Sequence, residues 1–397
     1  MNTSTAGLGH GMGTAWEQKD WAHLSELDVQ QLQQHFSDLQ GHADIIWRSP
    51  RPFSSAALIQ VNQHRYFVKR SHRSFRKAED LIQEHQFIAH LAQKGLAVPK
   101  VLIANHGFSA IEIGEWSYEV HHQAQGVDIY ADHQSWKPFF FKQHAHAAGQ
   151  ILAKMHLAAL DYTAVPPRSA QYLVSNQQLL EYPNIVEAIV NRIEHSPALT
   201  AYFHDKSLDQ NLLVQLQHFH QPIHARIVAQ PKLWTHNDLH ASNLLWSSDA
   251  ETAQITAVID FGLSDCNSIA YDIAVTIERN FIDWLQYYEN KEITVDEQGL
   301  QAFILAYLSE YKPVDALRLV PQLLPIVHVD FAISELEYFM GITHNVNHAD
   351  AAYFDWLIGH TQWFVGEQGQ AFLARLTAQI EQGIEHDSKT SNSDRNE

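Results

Sequence analysis

One stretch of the sequence, residues 236–262, constrains the fold and chemistry of this chain more than any other. It begins His236-Asn237-Asp238-Leu239-His240-Ala241-Ser242-Asn243 and ends Asp260-Phe261-Gly262. Phosphoryl transfer needs a carboxylate that accepts or orients a hydroxyl proton, and hard oxygen ligands that hold magnesium against the phosphates. We therefore predict Asp238 as the catalytic base or orienting group, and Asn243 with Asp260 as the magnesium ligands.

The residues between the two ends of this stretch predict how the ends meet. Leu244-Leu245-Trp246 is typical of a strand, residues 247–254 of a polar turn, and residues 255–259 of a second strand. Such a hairpin returns the chain to its starting edge. Asn243 and Asp260, which are 17 positions apart (260 − 243), then become neighbours able to share a cation.

The same stretch resembles the catalytic elements of known kinases. Its order matches the protein-kinase pattern H-R-D-L-x-x-x-N followed by D-F-G, with Asn237 in place of the arginine. His240 and the later Tyr271-Asp272-Ile273-Ala274 make it more similar to the aminoglycoside phosphotransferase and choline kinase superfamily of small-molecule kinases, where glycine is usual at the position of Asn237. The resemblance implies a protein-kinase-like two-lobe α+β fold. Its small N-terminal lobe has an antiparallel sheet plus a helix, and its larger C-terminal lobe is mainly helical.

The resemblance also implies roles for two charged residues upstream. Residues 56–61 and 65–70 predict a hairpin whose second strand carries Lys69, expected to contact the phosphates of ATP, although a solvent-exposed lysine is the alternative. A helix predicted from about residue 77 to 94 carries Glu84, the expected partner of Lys69. Glu79 is the alternative partner if the helix is rotated.

The loop that covers the phosphates lacks the glycine-rich patterns of dinucleotide sites and P-loops. Ser54 and Ser55 stand before the hairpin, and small side chains there let backbone amides and hydroxyls approach phosphate. We predict that both serines contact the nucleotide. Residues 111–120 predict a strand, and the segment that follows resembles the connection between lobes, where backbone groups bind adenine.

Other polar residues near the motif have structural interpretations. His236 is expected to be a hydrogen-bonding strut for the catalytic loop, and His240 a second strut or part of the acceptor site. Asp272 opens an apolar helical run, which favours a capping or loop-anchoring role.

Candidate acceptor-binding residues lie on two predicted helices. One helix carries Asp330, Ser334, Glu337 and Tyr338 near one face, with His328 just before it, and such an acidic face could bind an ammonium group; a solvated face is the alternative. The rival candidates are on the helix after Asp272 and are Glu278, Arg279 and Asp283.

The length of 397 residues allows two lobes, each with its own core. We predict a flexible N-terminus at 1–20, a nucleotide-binding lobe at 21–122, a catalytic and acceptor-binding lobe at 123–385, and a disordered tail at 386–397. Helical patterns in the second lobe cover residues 139–160, 184–219, 269–289, 299–311, 316–338 and 351–384.

The net charge and the hydropathy of the chain limit the kinds of partner that we expect. A formal charge of −19 argues against nucleic-acid binding and mildly favours a cationic or zwitterionic acceptor. There is no evident signal peptide and no apolar run near the roughly 18 residues of a membrane span, so we expect a cytoplasmic protein without a membrane partner. The oligomeric state is not determined by the sequence.

The sequence therefore predicts a kinase that uses ATP and Mg²⁺ to phosphorylate a small hydroxylated metabolite, namely an amino alcohol, a hydroxy amino acid or an aminosugar. Two alternatives remain. A protein kinase shares the chemistry, but the sequence has no Ala-Pro-Glu element and no glycine-rich loop. A nucleotide-binding pseudokinase scaffold conflicts with the intact Asp238, Asn243 and Asp260.

Overall fold

The computed structural model describes residues 20–51, 53–131, 133, 136–162, 168, 172–288 and 291–393. The predicted flexible segment 1–20 therefore lies outside the described residues except for Asp20. Part of the predicted tail is helical, because the last helix extends to Ser393, and residues 394–397 lie outside the described residues. The boundary that we predict between the lobes at residue 122 stays a prediction.

A five-stranded antiparallel sheet forms the N-terminal part of the fold, with strand order β1-β2-β3-β5-β4. Its strands are β1 (Ala43–Arg48), β2 (Ser55–Val61), β3 (His64–His72), β4 (Ala110–Ile113) and β5 (Trp116–His122). The predicted β2–β3 hairpin is confirmed. The strand predicted over 111–120 is wrong, because the chain turns back at Gly114, whose φ of +61° suits glycine.

Helix α2 (Ala78–Gln93) packs beside this sheet. The carboxylate of Asp80 accepts a hydrogen bond from the backbone N–H of Lys77 at 3.1 Å and so closes the first turn. The helix ends where Gly95 adopts φ +85° and Leu96 N–H donates to the Leu91 carbonyl at 3.1 Å. This confirms the predicted helix.

Two short antiparallel strand pairs hold residues 236–262, the predicted catalytic stretch. Strand β6 (Leu233–Thr235) pairs with β9 (Asp265–Asn267), and β7 (Leu244–Trp246) pairs with β8 (Ile255–Val258). The β7–β8 hairpin is the predicted one, and Ile259 N–H donates to the Asn243 carbonyl at 2.9 Å just beyond it. Asn243 is thereby held next to the segment that enters Asp260. Leu239, 1% exposed, anchors the loop between β6 and β7 in the core.

Most of the remaining chain is helical. The other helices are α1 (Glu26–Gln33), α3 (Lys142–Ala159), α4 (Ile185–His195), α5 (Pro197–Asp205), α6 (Gln210–His220), α7 (His224–Val228), α8 (Ile269–Phe281), α9 (Leu285–Tyr288), α10 (Glu297–Glu310), α11 (Val314–Leu323), α12 (Val329–Tyr338), α13 (Val346–Asp350), α14 (His360–Val365) and α15 (Glu367–Ser393). Segments Phe339–Thr343 and Ala351–Gly359 are π-helical.

Close packing of these helices builds a hydrophobic core separate from that of the five-stranded sheet. At Gly149 on α3 an added Cβ would lie 2.3 Å from the Phe303 carbonyl oxygen, so the glycine permits the contact between α3 and α10. Within the described part of the chain no single helix has the length and apolarity of a membrane span. The pair Val314–Ile326 and Val329–Thr343, bent by 41°, passes that test on length and composition together.

Candidate active site

A cleft of about 780 Å³ brings the predicted site residues together. Lys69 on β3 lines it with Asp238, Asn243 and Asp260 from the catalytic stretch, although Lys69 and Asp260 are 191 positions apart. His122 at the end of β5 and residues 123–124 of the connection after it line the same cleft. The cleft therefore joins the sheet to the catalytic stretch.

Asp272, in the first turn of α8, anchors the catalytic loop. Its Oδ1 accepts a hydrogen bond from Asn237 N–H at 2.8 Å and its Oδ2 from His236 N–H at 3.2 Å. The imidazole Nε2 of His156 lies 3.0 Å from the same Oδ2. Asp272 thus has the predicted anchoring role, while Ser268 caps the helix by accepting from Tyr271 N–H.

Asn237 explains why this chain tolerates a departure from glycine. Its φ is +61°, a conformation that asparagine adopts more readily than most residues. Its Oδ1 accepts from the Thr235 hydroxyl at 2.6 Å, and its Nδ2 donates to the Leu263 carbonyl at 3.0 Å. The side chain therefore ties the catalytic loop to the segment after Asp260, which glycine could not do.

His236 is a strut, as predicted. Its Nδ1 accepts from Asp238 N–H at 3.2 Å, so its Nε2 carries the proton and donates to the Ile259 carbonyl at 3.1 Å. This single imidazole fixes the backbone of Asp238 relative to the strand that leads to Asp260.

Asp238 has the environment of a proton acceptor. Burial raises its pKa, Arg279 opposes that shift, and the negative charge of Asp260 adds to it. Its Oδ2 accepts from Asn243 Nδ2 at 3.2 Å. Its Oδ1 lies 2.7 Å from an Arg279 nitrogen and has no hydrogen-bond partner among the described residues. His240 lies 3.7 Å away, and burial lowers its pKa, which keeps the imidazole neutral.

Asn243 and Asp260 supply oxygen atoms of the kind that magnesium prefers. The amide nitrogen of Asn243 donates to the Asp238 backbone carbonyl at 2.8 Å, which leaves its Oδ1 as the ligand atom. The Asp260 side chain is 47% exposed in the cleft. An added Cβ on Gly262 would come within 3.1 Å of Asp260 Oδ1, so the glycine leaves room around this carboxylate. The two residues fit a magnesium ion.

Lys69 has a different partner from the predicted one. Its Nζ lies 3.0 Å from Asp260 Oδ1 and forms no ion pair with Glu84 in the described chain. Burial alone would lower the pKa of Lys69, but the carboxylates of Asp260, Glu119 and Glu84 raise it. The ammonium group is therefore charged and lines the cleft.

Glu84 is buried and lies 3.4 Å from a guanidinium nitrogen of Arg168. Arg168 also donates to the carbonyls of Gly262 at 2.9 Å and Ser264 at 3.1 Å. The predicted pairing of Glu84 with Lys69 is thus wrong for this structure, in which Glu84 forms an ion pair with Arg168 instead. Glu79, the alternative, lies on the surface 3.6 Å from Lys77.

The two serines at the start of β2 differ. Ser54 lines the cleft, where its predicted nucleotide contact stays a prediction. The Ser55 hydroxyl is fully buried and donates to the Ala22 carbonyl, so its predicted contact with nucleotide is wrong. Side chains alternate along β2, and the alternation turns Ser55 away from the cleft.

A buried cluster of His85, Glu119 and His121 borders the cleft behind Lys69. Glu119 Oε2 lies 3.0 Å from His85 Nε2 and 2.8 Å from His121 Nε2, and these three atoms lie within 4.8 Å of one another. Glu119 is the cross-strand neighbour of Lys69. The two imidazoles therefore fix a carboxylate whose charge acts on Lys69.

The residues of α12 that line the cleft differ from those predicted to bind the acceptor. The polar groups predicted there have structural partners: Asp330 Oδ2 accepts from Leu179 N–H at 3.2 Å, Ser334 accepts from Val174 N–H at 2.9 Å, and Glu337 binds Arg192 at 2.6 Å. The residues of α12 that line the cleft are Phe331 and Glu335, which the sequence reasoning missed. Their i, i+4 spacing was the available clue. Of the rival candidates, Arg279 lines the cleft.

A comparison with known proteins identifies the class. The model of the phosphotransferase enzyme family matches residues 53–317. The structure is similar to an aminopropanol kinase associated with a microcompartment (TM-score 0.58, 14% identity, 87% of this chain and 99% of that chain). It is also similar to a spectinomycin phosphotransferase (TM-score 0.52, 13% identity, 90% and 100%). The predicted protein-kinase-like two-lobe α+β fold is confirmed.

Two sequence relatives are homoserine kinases. That of Methylobacillus flagellatus is 27% identical over 288 residues, which is 72% of this chain and 77% of the relative. That of a Janthinobacterium species is 24% identical over 238 residues, 55% of this chain and 57% of the relative. The chain belongs to the phosphotransferase enzyme family and is a small-molecule kinase.

Proposed function

We propose that this enzyme transfers the γ-phosphoryl group of ATP to the hydroxyl of a small amine-bearing metabolite. The observation that carries the proposal is the cleft in which Asp238, with a pKa raised by burial, lies beside Asn243 and shares its lining with Lys69 and Asp260. A single cleft thus holds a base, a phosphate-binding cation and oxygen ligands for a metal, which are the groups that phosphoryl transfer requires.

Each residue has one role in the proposed reaction. Asp238 accepts the proton of the acceptor hydroxyl while the hydroxyl oxygen forms a bond to the γ-phosphorus and the bond to the β-γ bridging oxygen breaks. Lys69 holds the phosphates. Asn243 and Asp260 hold magnesium, which, when bound, neutralises the charge that develops on the phosphates. Ser54 contacts the nucleotide at the mouth of the cleft.

The relatives support an acceptor that bears both a hydroxyl and an amine. Two are named homoserine kinases, and similar structures carry the names aminopropanol kinase and amicoumacin kinase. Hydroxy amino acids, amino alcohols and aminosugars therefore form the acceptor class.

Replacing the proposed base tests the function. We expect Asp238→Asn to lower kcat by about 10²–10⁴-fold, since general-base catalysis contributes about that factor. The measurement is ATP consumption with mass-spectrometric detection of the phosphorylated product, across amino alcohols, hydroxy amino acids and aminosugars. Asp249→Asn, the same change at an exposed turn residue, is the matched control and should retain the wild-type rate. An unaltered rate in Asp238→Asn would refute the base assignment, and no turnover by the wild type on any acceptor would refute the function.

A further inference from the structure

Glu335 on α12 carries a buried carboxylate that the chemistry above does not use. Its side chain is 0% exposed, it lines the cleft, and neither oxygen has a hydrogen-bond partner among the described residues. Burial raises its pKa, an effect that Arg279 opposes and the charges of Asp238 and Glu278 increase. A buried carboxyl group without partners favours its protonated form, and a cation that binds against it stabilises the carboxylate instead.

Arg279 on α8 offers the opposite charge in the same part of the cleft. One terminal nitrogen lies 2.7 Å from Asp238 Oδ1, and the guanidinium carbon lies 4.7 Å from the centre of the Phe331 ring. Its Nε is buried and has no hydrogen-bond partner in the described chain. A donor is therefore left beside the catalytic base, and it suits an anionic group on the acceptor.

The neighbouring charged groups are already paired. Glu278 lies 2.9 Å from the His360 imidazole, and Glu337 binds Arg192 at 2.6 Å. Phe331 and Glu335, one helical turn apart on α12, both face the cleft, so the aromatic ring that supports Arg279 and the carboxylate belong to one surface. Arg279 Nε and the Glu335 carboxyl group, both without hydrogen-bond partners among the described residues, thus line the same cleft as Asp238, and the charges of Arg279 and Asp238 act on Glu335.

We propose that the acceptor is a zwitterion, a short hydroxy amino acid whose carboxylate binds the Nε edge of Arg279 and whose ammonium group binds Glu335, with its hydroxyl at Asp238. This inference rests on the function proposed above and narrows its acceptor class. Because Arg279 touches Asp238, the hydroxyl and the carboxylate must be separated by only a few bonds. The carboxylate and the ammonium group of such an acceptor supply the hydrogen-bond partners that Arg279 Nε and the Glu335 oxygens lack among the described residues.

Three acceptors of matched size test the proposal without any variant. L-Homoserine carries both charges, 3-amino-1-propanol lacks the carboxylate, and 4-hydroxybutyrate lacks the ammonium group. We expect kcat/KM for L-homoserine to exceed that for each analogue by about 100-fold or more, since a site built around a polar group rejects analogues that lack it. An equal kcat/KM for 3-amino-1-propanol would overturn the role of Arg279. An equal value for 4-hydroxybutyrate would overturn that of Glu335.

A charge-neutral variant gives a second test. Glu335→Gln should raise the KM for L-homoserine about 10- to 100-fold, leave the KM for ATP unchanged, and reduce the preference over 4-hydroxybutyrate, because only the ammonium group loses its partner. Glu251→Gln, in an exposed turn, is the control. A uniform fall in kcat with all three acceptors and an unchanged preference contradicts the proposal.

The two proposals fail in different ways. If either analogue is used as well as L-homoserine and Asp238→Asn abolishes that turnover, the kinase function stands and the zwitterion assignment falls. If none of the three is phosphorylated, the zwitterion assignment also falls, and turnover of any aminosugar still supports the kinase function. If the wild type phosphorylates nothing, both fall.

Discussion

Asn237 offers a test of how the catalytic loop is held. Replacement by glycine keeps the φ of +61° accessible and removes the two hydrogen bonds with Thr235 and Leu263. Each bond contributes about 1 kcal/mol, and the freer unfolded chain adds about 0.5–1 kcal/mol. Asn237→Gly should therefore lower the free energy of unfolding by about 2.5–3 kcal/mol. Asn237→Ala loses the same bonds and adds about 1–2 kcal/mol for the left-handed backbone, about 3–4 kcal/mol together.

Thermal unfolding followed by tryptophan fluorescence measures the difference. At about 2.1 cal/mol/K per residue, the unfolding entropy of the 397-residue chain is roughly 0.8 kcal/mol/K. The expected fall in Tm is therefore roughly 3–4 °C for Asn237→Gly and roughly 4–5 °C for Asn237→Ala. Asn191→Ala, on the exposed face of α4, is the control and should change the free energy of unfolding by no more than about 0.5 kcal/mol.

Two outcomes would refute this reasoning. If Asn237→Gly is as stable as the wild type, the side-chain bonds to Thr235 and Leu263 contribute nothing and the asparagine is only a substitute for glycine. If Asn237→Ala is no less stable than Asn237→Gly, the left-handed backbone is not a constraint at this position.

Three further predictions concern the nucleotide, the metal and pH. Lys69→Ala should lower kcat/KM for ATP about 100-fold in steady-state kinetics. The control Lys100→Ala, which removes an exposed lysine, should leave kcat/KM unchanged. A chelator should abolish turnover and Mg²⁺ restore it, and Asp260→Asn should raise the half-saturating Mg²⁺ concentration about tenfold or more in a Mg²⁺ titration. Burial raises the pKa of Asp330 to about 7, so the folded state holds an extra proton between about pH 4 and 7, and stability falls as pH rises through that window. Asp330→Asn, which keeps an oxygen for Leu179 N–H, should flatten that slope in urea titrations at several pH values.

Local features of the sequence were enough for much of the fold. The glycine after α2, the polar turn between β7 and β8, and the helical spacing in α3 each act within a few residues, so propensity and periodicity describe them. The strand predicted over 111–120 was wrong because a single glycine, Gly114, outweighed an apolar pattern on both of its sides.

The errors at the site concern partners from distant parts of the chain. Glu84 forms an ion pair with Arg168, 84 positions away (168 − 84), and not with Lys69. Sequence patterns do not tell which cation lies beside a buried carboxylate in the folded protein. Helical spacing predicted a polar face on α12 but not which face of the helix turns toward the cleft. Successive helical residues are rotated by about 100°, so Glu335 and Glu337 point to different sides: Glu335 lines the cleft and Glu337 binds Arg192.

Residues 236–262 alone indicated phosphoryl transfer, because the residue types that this chemistry requires are few and their order along one loop and one hairpin is set by local structure. Which groups remain unmatched in the cleft was decided by the tertiary structure. Arg279 and Glu335 lie on separate helices, and the acceptor-binding roles that we propose for them depend on packing that buries both in the cleft that also holds Asp238. Charge at a site depends on burial and on competing partners, and both arise when the helices pack.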